Sequence, residues 1–459
     1  MPIVSKKRIW RLQKRFEGKR KMKLILYSWN ANNEQILVDN LIKLGFEVVC
    51  FRKECRHYTR DMELAMEMIP FIHAQGAEAV VSFNYFPMVS MICNTCQIPY
   101  YAWVYDCPHF TLYAKQIGLP CNHIGIFDRE MARQLEGYGV NTVHHVPLAV
   151  DTACFDAVIS QATPQEKDRF RCDISFVGSL YTDAYNYYDR LFGGEDAVKQ
   201  TNLQKGSAEC GSRQEKQPET DCEGRQEECP ETGWEAIASG ISRQCFAYHE
   251  DYLRQAVTDG KIDLHGIQVR MEKQGLMLGE DYYAKAEDIL LAAVLEKKVT
   301  VEERRILLTR LAERFAISDG DGDRGSHFRL YTGSDTAGLP ELDSCNCGIV
   351  DYHTQMPLVF AGSRINLNIS LRSIHSGIPL RVLDIMACGG FVLSNWQPEI
   401  AEYFEEGVEI VTFDSREDCL EKTAYYLSHE EERRQIAANG KRKVQEKFSY
   451  QNGLDRLFA

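Results

Sequence analysis

SGIPLRVLDIMACGGFVLSN, residues Ser376 to Asn395, is the stretch whose reading decides the fold class. Pro379 suits a first helical turn, Gly389 and Gly390 suit a helix stop, and FVLSN (Phe391 to Asn395) is a short apolar run of strand type. The order loop, helix, buried strand is the repeating unit of a parallel α/β sheet. A helix opening at Ser376, Gly377, Ile378 and Pro379 points unpaired N–H groups and its positive dipole end at whatever lies above that sheet. A diphosphate is the natural guest, with Leu380 and Arg381 in the same first turn. Asp384, one turn further, carries an acceptor-only carboxylate suited to ribose hydroxyls. Its rival role is an i,i+3 pair with Arg381 on an exposed helix face.

The same strand–helix alternation extends in both directions. Downstream come EIVTF (Glu409 to Phe413) and helices from Arg416 to the end. Upstream, FRLYT (Phe328 to Thr332), GIVDY (Gly348 to Tyr352) and INLNIS (Ile365 to Ser370) read as strands of a series that opens at DISFVGS (Asp173 to Ser179). A helix is expected over Thr300 to Phe315, opened by a capping box of Thr300 and Glu303. The first half repeats the pattern with LILYSW, EVVCF, AVVSF, YYAWVYD, HIGIFDRE and TVHHVPLAVD, the amphipathic stretch around Met62 to Ile72 lying between the second and third. The expected organisation is a basic leader over 1–22, a Rossmann-like domain over 23–150, a second α/β domain over 171–430, and C-terminal helices over 431–459. Residues 193–240, rich in Glu, Gln, Gly, Ser and Pro, are too polar to offset their ordering entropy and read as a disordered insertion.

With 459 residues, 44% of them hydrophobic, the chain is too long for one core and too apolar for disorder, so two α/β domains are expected. A formal charge of -13 argues against general nucleic-acid binding. One segment inverts that balance: Lys6 to Lys23 holds ten Lys or Arg against Glu17, with Ile9, Trp10, Leu12 and Phe16 interleaved. It reads as a solvated leader, or as an amphipathic helix making peripheral contact with anionic lipid. No apolar run long enough to span a bilayer and no secretory leader pattern are found, which points to the cytoplasm. Sixteen cysteines in so large a chain do not form a secreted disulfide framework, and neither CxxC (Cys93, Cys96) nor CxC (Cys345, Cys347) has a second half at zinc-site spacing. ISDGDGDRG (Ile317 to Gly325) imitates a calcium loop, but Arg324 and Leu330 stand where Gly and Glu are required, so it reads as a turn. No metal site and no cofactor are expected.

In parallel sheets, ligands sit beyond the carboxyl ends of the strands. In the first half those ends carry Ser28, Asn30, Asn84, Tyr85, Asp106 and His109. In the second half, Gly178 and Ser179 follow the opening strand, where a glycine lets backbone approach a phosphate. Arg364, Arg372 and Arg381 are the cations nearest the Ser376–Asn395 motif, able to clamp a diphosphate bidentately and stabilise its departure. His375 and His109, as isolated histidines, are equally at home in structural roles.

Through HTQMPLVFAGSRINLNISLRSIHSGIPLRVLD (His353 to Asp384), with SFNYFP, IPYYAWVYDCPH, GIFDRE and HHVPLAVD in the first half, the chain resembles the CgeB-like spore-maturation glycosyltransferases, relatives of the family 4 glycosyltransferases. The resemblance implies a GT-B-like fold, two Rossmann-like parallel-sheet domains facing across a cleft. It also implies transfer of a sugar from a nucleotide-sugar, a UDP-sugar, to a hydroxyl on a glycan, protein or lipid, with retained configuration and without metal. In the family 4 relatives two glutamates eight residues apart flank the helix start. Here Ser376 takes the place of the first, which contacts the donor sugar, and Asp384 that of the second, which contacts ribose. The expected catalytic set is Asp106, His109, Arg372 and Ser376; the expected donor set is Gly178, Ser179, Arg364, Arg372, Ser376 to Arg381, and Asp384. The uncharged Ser376 also admits a non-catalytic sugar-nucleotide-binding module, and the fold admits a nucleotide-sugar epimerase.

Overall fold

A computed structural model of the chain describes residues 21–107, 109–182, 265, 294–315 and 328–459. The leader upstream of residue 21, the insertion 193–240 and the DGD stretch 317–325 lie outside the described residues. The first domain holds β1 (Lys23–Ser28), β2 (Glu47–Arg52), β3 (Ala79–Phe83), β4 (Tyr100–Val104), β5 (Asn122–Ile126) and β6 (Val143–His145). They form one sheet in the order β2-β1-β3-β4-β5-β6, and every pairing is parallel. The second domain holds β7 (Cys172–Val177), β8 (Phe328–Tyr331), β9 (Ser363–Asn368), β10 (Val392–Asn395) and β11 (Val411–Phe413), again all parallel, in the order β11-β10-β9-β7-β8. AVVSF and YYAWV are buried at every position, as strands covered by helices on both faces must be.

Counted from its own first strand, each sheet runs 2-1-3-4-5, and the first adds a sixth strand. The connections therefore reverse direction between β1 and β3 and again between β7 and β9. These switch points open crevices at the carboxyl edge of each sheet. The two carboxyl edges face one another. Asn33 Nδ2 donates to the Tyr352 hydroxyl (3.3 Å), the Cys107 thiol to the Ser373 carbonyl (2.8 Å), and the His375 amide to Asp128 Oδ2 (2.6 Å). The last helix, Tyr450–Leu457, returns to the first domain: Tyr450, Leu454, Leu457 and Phe458 share an apolar cluster with Leu24, Leu26, Tyr101 and Trp103. The Trp103 ring lies so close to Gly453 that a Cβ there has no room.

Three local expectations are corrected. GIVDY is not a strand: Gly348 has φ +78°, Ile349 is 79% exposed, and Asp351 Oδ1 accepts the amides of His353 and Thr354 to close a turn. The helix expected from Thr300 begins earlier and spans Glu296–Phe315. Thr300 Oγ1 donates to the Glu296 carbonyl and Glu303 pairs with Arg372, so there is no capping box. The helix expected to open at Ser376 starts at Leu380, with Pro379 still extended at ψ 144° as its N-cap.

Candidate active site

At the second switch point, between the carboxyl ends of β7 and β9, lies a crevice of about 180 Å³. Gly178 and Ser179 form one wall, Asn368 and Ser370 the other, and Pro379 and Arg381 bring the start of the Leu380–Ala387 helix over it. The amides of Leu380 and Arg381 precede the first bond of that helix, from the Val382 amide to the Pro379 carbonyl (3.0 Å), and lie at its positive dipole end. A second hollow of about 310 Å³ shares Gly178 and Ser179 and continues along Thr332 to Ser334 beyond β8. Gly178, Ser179, Pro379 and Arg381 thus line this crevice, and Leu380 opens the helix above it.

The crevice also holds a residue that sequence reasoning missed. Arg304, on the Glu296–Phe315 helix, is buried beside it and donates to the carbonyls of Ser179 and Ile369, tying the end of β7 to the end of β9. Its guanidinium stacks 4.8 Å from the Tyr181 ring centroid. Desolvation pushes its pKa down, and the charge of nearby Arg381 acts the same way. No carboxylate lines the crevice itself; behind it, Arg381 lies 3.4 Å from the buried Asp384, and Arg304 is held by its two carbonyls. Nothing in the sequence near residue 304 marks it, because its partners are backbone carbonyls 125 and 65 positions away.

The turn that leads into the Leu380–Ala387 helix is held from the opposite domain. Asp128, fully buried at the end of β5, accepts from the His375 amide, the Ser376 amide (3.1 Å), the Ser376 hydroxyl (2.9 Å) and the Met131 amide (3.1 Å). The Ser376 hydroxyl also lies 2.8 Å from Glu399, whose other oxygen is 2.8 Å from His145 Nε2. Ser376 thus fastens the second domain to the first. Gly377 is forced by the same approach, since a Cβ there would lie 2.7 Å from the Phe127 ring. Ile378 is buried in the core that spans both domains. The strand read over HIGIFDRE ends at Ile126, and Asp128 is the N-cap of the Arg129–Gly137 helix. Its reach across the domain boundary was not legible.

Three expected donor contacts are reassigned. Arg372 is buried against Glu303, with Nε 2.6 Å from Oε2 and Nη2 on Oε1, a bidentate pair that leaves no fork for a diphosphate. Arg364 is the second residue of β9, at the amino edge of the sheet and opposite the crevice, paired with Asp173 at 3.0 Å. Asp384 is buried, with the Tyr352 hydroxyl on Oδ1 at 3.0 Å and Arg381 Nη1 at 3.4 Å from Oδ2. A ribose would have to displace Tyr352 to reach it. The Arg381 pair expected on an exposed face is present but buried on the carboxylate side. Burial raises the Asp384 pKa to about 6, because the long contact to Arg381 only partly offsets the desolvation.

Of the first-domain candidates, Asp106 is exposed just past the end of β4 and accepts from Asn84 Nδ2 at 2.6 Å. Asn84 is itself held at φ +58° and returns its Oδ1 to the amides of Tyr105 and Asp106. His109 is half-buried with Nδ1 2.5 Å from the Thr111 hydroxyl. Desolvation pushes its pKa down to about 4 against the opposing pull of Asp106, so the ring is neutral at pH 7. Ser28 is taken by Glu34 and Tyr85 is buried, while His375 pairs with Glu296 at 3.1 Å.

Among curated proteins, none matches the chain. Solved structures of similar architecture are remote. Sucrose-phosphate synthase from Thermosynechococcus elongatus matches at 9% identity over 95% of this chain and 97% of its own, with a TM-score of 0.49. Anabaena HepE in complex with UDP-glucose matches at 7% over 95% and 98%, with a TM-score of 0.48. A glycosyltransferase from Rickettsia africae matches at 9% over 95% and 97%, with a TM-score of 0.44. The family model described as glycosyl transferase-like matches residues 304–459, from the arginine in the crevice to the last residue. That span holds four of the five strands of the second parallel sheet, β8 to β11, whose carboxyl edge faces that of the first sheet.

Proposed function

We propose that the chain transfers a glycosyl unit from a nucleotide-sugar, a UDP-sugar, to a hydroxyl acceptor, and that it is a CgeB-like member of its family. The observation that carries the reading is the β7/β9 crevice, which combines Arg304, Arg381, a glycine-bearing strand end and a helix start with no carboxylate in its lining. An anion of two phosphates matches that chemistry, and departing negative charge would be stabilised there. The nucleoside would extend past Gly178 and Ser179 toward Thr332 to Ser334, and the sugar toward the first-domain edge where Asp106 and His109 stand. A neutral His109 is competent to accept a proton from an attacking hydroxyl. Because two guanidinium groups and helix amides match the diphosphate charge, activity is expected to persist in excess EDTA. Abolition by EDTA with rescue by manganese would contradict this.

The test is UDP titration by calorimetry with wild type and Arg381→Leu, followed by incubation with a panel of UDP-sugars. Charge-assisted hydrogen bonds are worth roughly 1.5–3 kcal/mol, so Arg381→Leu is expected to weaken UDP about ten- to hundredfold while the fold persists. Unchanged affinity in the folded variant refutes the placement of the donor. A crevice lining without a carboxylate to act at the sugar, with Ser376 engaged by Asp128 and Glu399, favours a second reading, a sugar-nucleotide-binding module. Binding of a UDP-sugar without turnover selects that reading, and isomerised sugar selects an epimerase.

A further inference from the structure

At the opposite edge of the second sheet, where β7, β8 and β9 begin, a groove of about 1250 Å³ runs between the strand ends and the Glu430–Lys447 helix. Six cationic side chains line it: Arg171, Arg329, Arg364, Arg433, Arg434 and Lys441. Four of them have acidic partners. Arg171 is 3.5 Å from Asp168, Arg364 is 3.0 Å from Asp173, Lys441 is 2.5 Å from Asp156, and Arg434 pairs with Glu430. Arg329 and Arg433 have no carboxylate partner among the described residues. Arg329 donates to the Arg169 carbonyl. Arg433 is 7% exposed, donates through Nη1 to the Arg364 carbonyl at 2.8 Å, and its buried Nε has no hydrogen-bond partner.

We infer that this groove is a binding site for a phosphorylated small molecule, separate from the donor crevice. A buried guanidinium nitrogen without an acceptor is costly, and a phosphate oxygen supplies what it lacks. Burial and the adjacent Arg364 push the Arg433 pKa down, against the weaker opposing pull of Glu430 and Asp173. The chain as a whole carries -13, so this local excess of arginine is not a by-product of composition. The small side chains of Ala437 and Ala438, between Arg434 and Lys441 on the same helix face, leave the groove open along its length. The Gly389 and Phe391 that line it flank the turn linking the Leu380–Ala387 helix to β10, so an occupant would touch the element that carries Arg381 at its other end.

The test is titration of the full chain with inorganic pyrophosphate at low ionic strength, comparing wild type, Arg381→Leu, Arg433→Gln and Arg329→Gln, with melting curves for each. The groove predicts a binding event that survives Arg381→Leu and weakens about tenfold or more in Arg433→Gln, as expected for loss of a charge-assisted hydrogen bond. Arg329→Gln, a partly exposed position, gives the same readout if Arg433→Gln fails to fold. Loss of all binding in Arg381→Leu, or affinity unmoved in the folded groove variants, overturns the proposal whether or not the donor reading stands. Vesicles of phosphatidylglycerol form the second arm. Vesicle binding that depends on Arg433 and Arg329, without pyrophosphate binding, overturns a soluble ligand in favour of a lipid headgroup. Asp319, Asp321 and Asp323 precede β8 in the sequence. Pyrophosphate binding that appears only after all three become Asn means the chain fills its own groove, and also overturns the proposal.

Discussion

Replacing Asp384 by Asn tests whether its carboxylate is as isolated from water as the structure places it. The native pKa of about 6 against an ordinary 3.8 is a shift of about 2 units, or about 3 kcal/mol at 1.36 kcal/mol per unit. The sign follows from proton counting. Between pH 4 and 6 the folded state holds the Asp384 proton more often than the unfolded state does, so stability falls as pH rises through that window. The penalty is absent below the unfolded pKa and complete above the folded one. Asn has nothing to ionise and keeps an oxygen for the Tyr352 hydroxyl. The stability of Asp384→Asn relative to wild type should therefore rise by about 2 kcal/mol between pH 4.5 and pH 8, on top of any pH-independent offset. His109, whose pKa is lowered to about 4, contributes in the opposite sense over the same range, because the unfolded chain binds its proton more readily. That term is common to both proteins and cancels in the difference. Urea unfolding followed by tryptophan fluorescence and circular dichroism, at pH 4.5, 6 and 8, reads the effect, with coincident transitions as the condition for comparing free energies. A difference that stays constant across pH refutes the reasoning: Asp384 would then be solvated or firmly paired with Arg381. A UDP affinity lowered ten- to hundredfold in the same variant would restore the direct ribose contact that Tyr352 blocks here.

Asp128→Ala removes the acceptor of four hydrogen bonds and strands buried donors on both domains, so the melting temperature should drop by the equivalent of about 3 kcal/mol or more, and UDP affinity should fall with it. Retained stability would show that the turn at Ser376 is not held from the first domain. Gly453→Ala pushes a methyl group into the Trp103 ring and is expected to cost about 1–3 kcal/mol, read by thermal melting. A neutral result would mean that the last helix is not seated on the first sheet. Deleting residues 193–240 should leave thermal stability and nucleotide binding nearly unchanged, since their composition cannot form a core; a large loss of either contradicts that reading.

The alternation of short apolar runs with amphipathic stretches determined, without any coordinates, two parallel α/β domains, nearly all of their strands, and the loop, helix and strand order that ends in β10. These are local properties: periodicity, a proline at a helix start, glycines at a helix stop. GIVDY was misread because Ile349 is exposed and Gly348 turns the chain, and hydrophobicity alone does not report what covers a side chain. Gly178, Ser179 and Arg381 were legible as crevice residues because their position follows from strand order and from the carboxyl-edge rule. What only the tertiary structure decided is how the polar side chains are spent. Arg372 was indistinguishable from a phosphate clamp until Glu303, 69 positions away, was seen to hold it. Ser376 belongs to Asp128, 248 positions away, and Asp384 to Tyr352, 32 positions away. Arg304 became a crevice residue only because its helix packs across the ends of two strands. A charged group's function depends on whether a partner reaches it first, and in a fold of two facing sheets those partners come from distant parts of the chain.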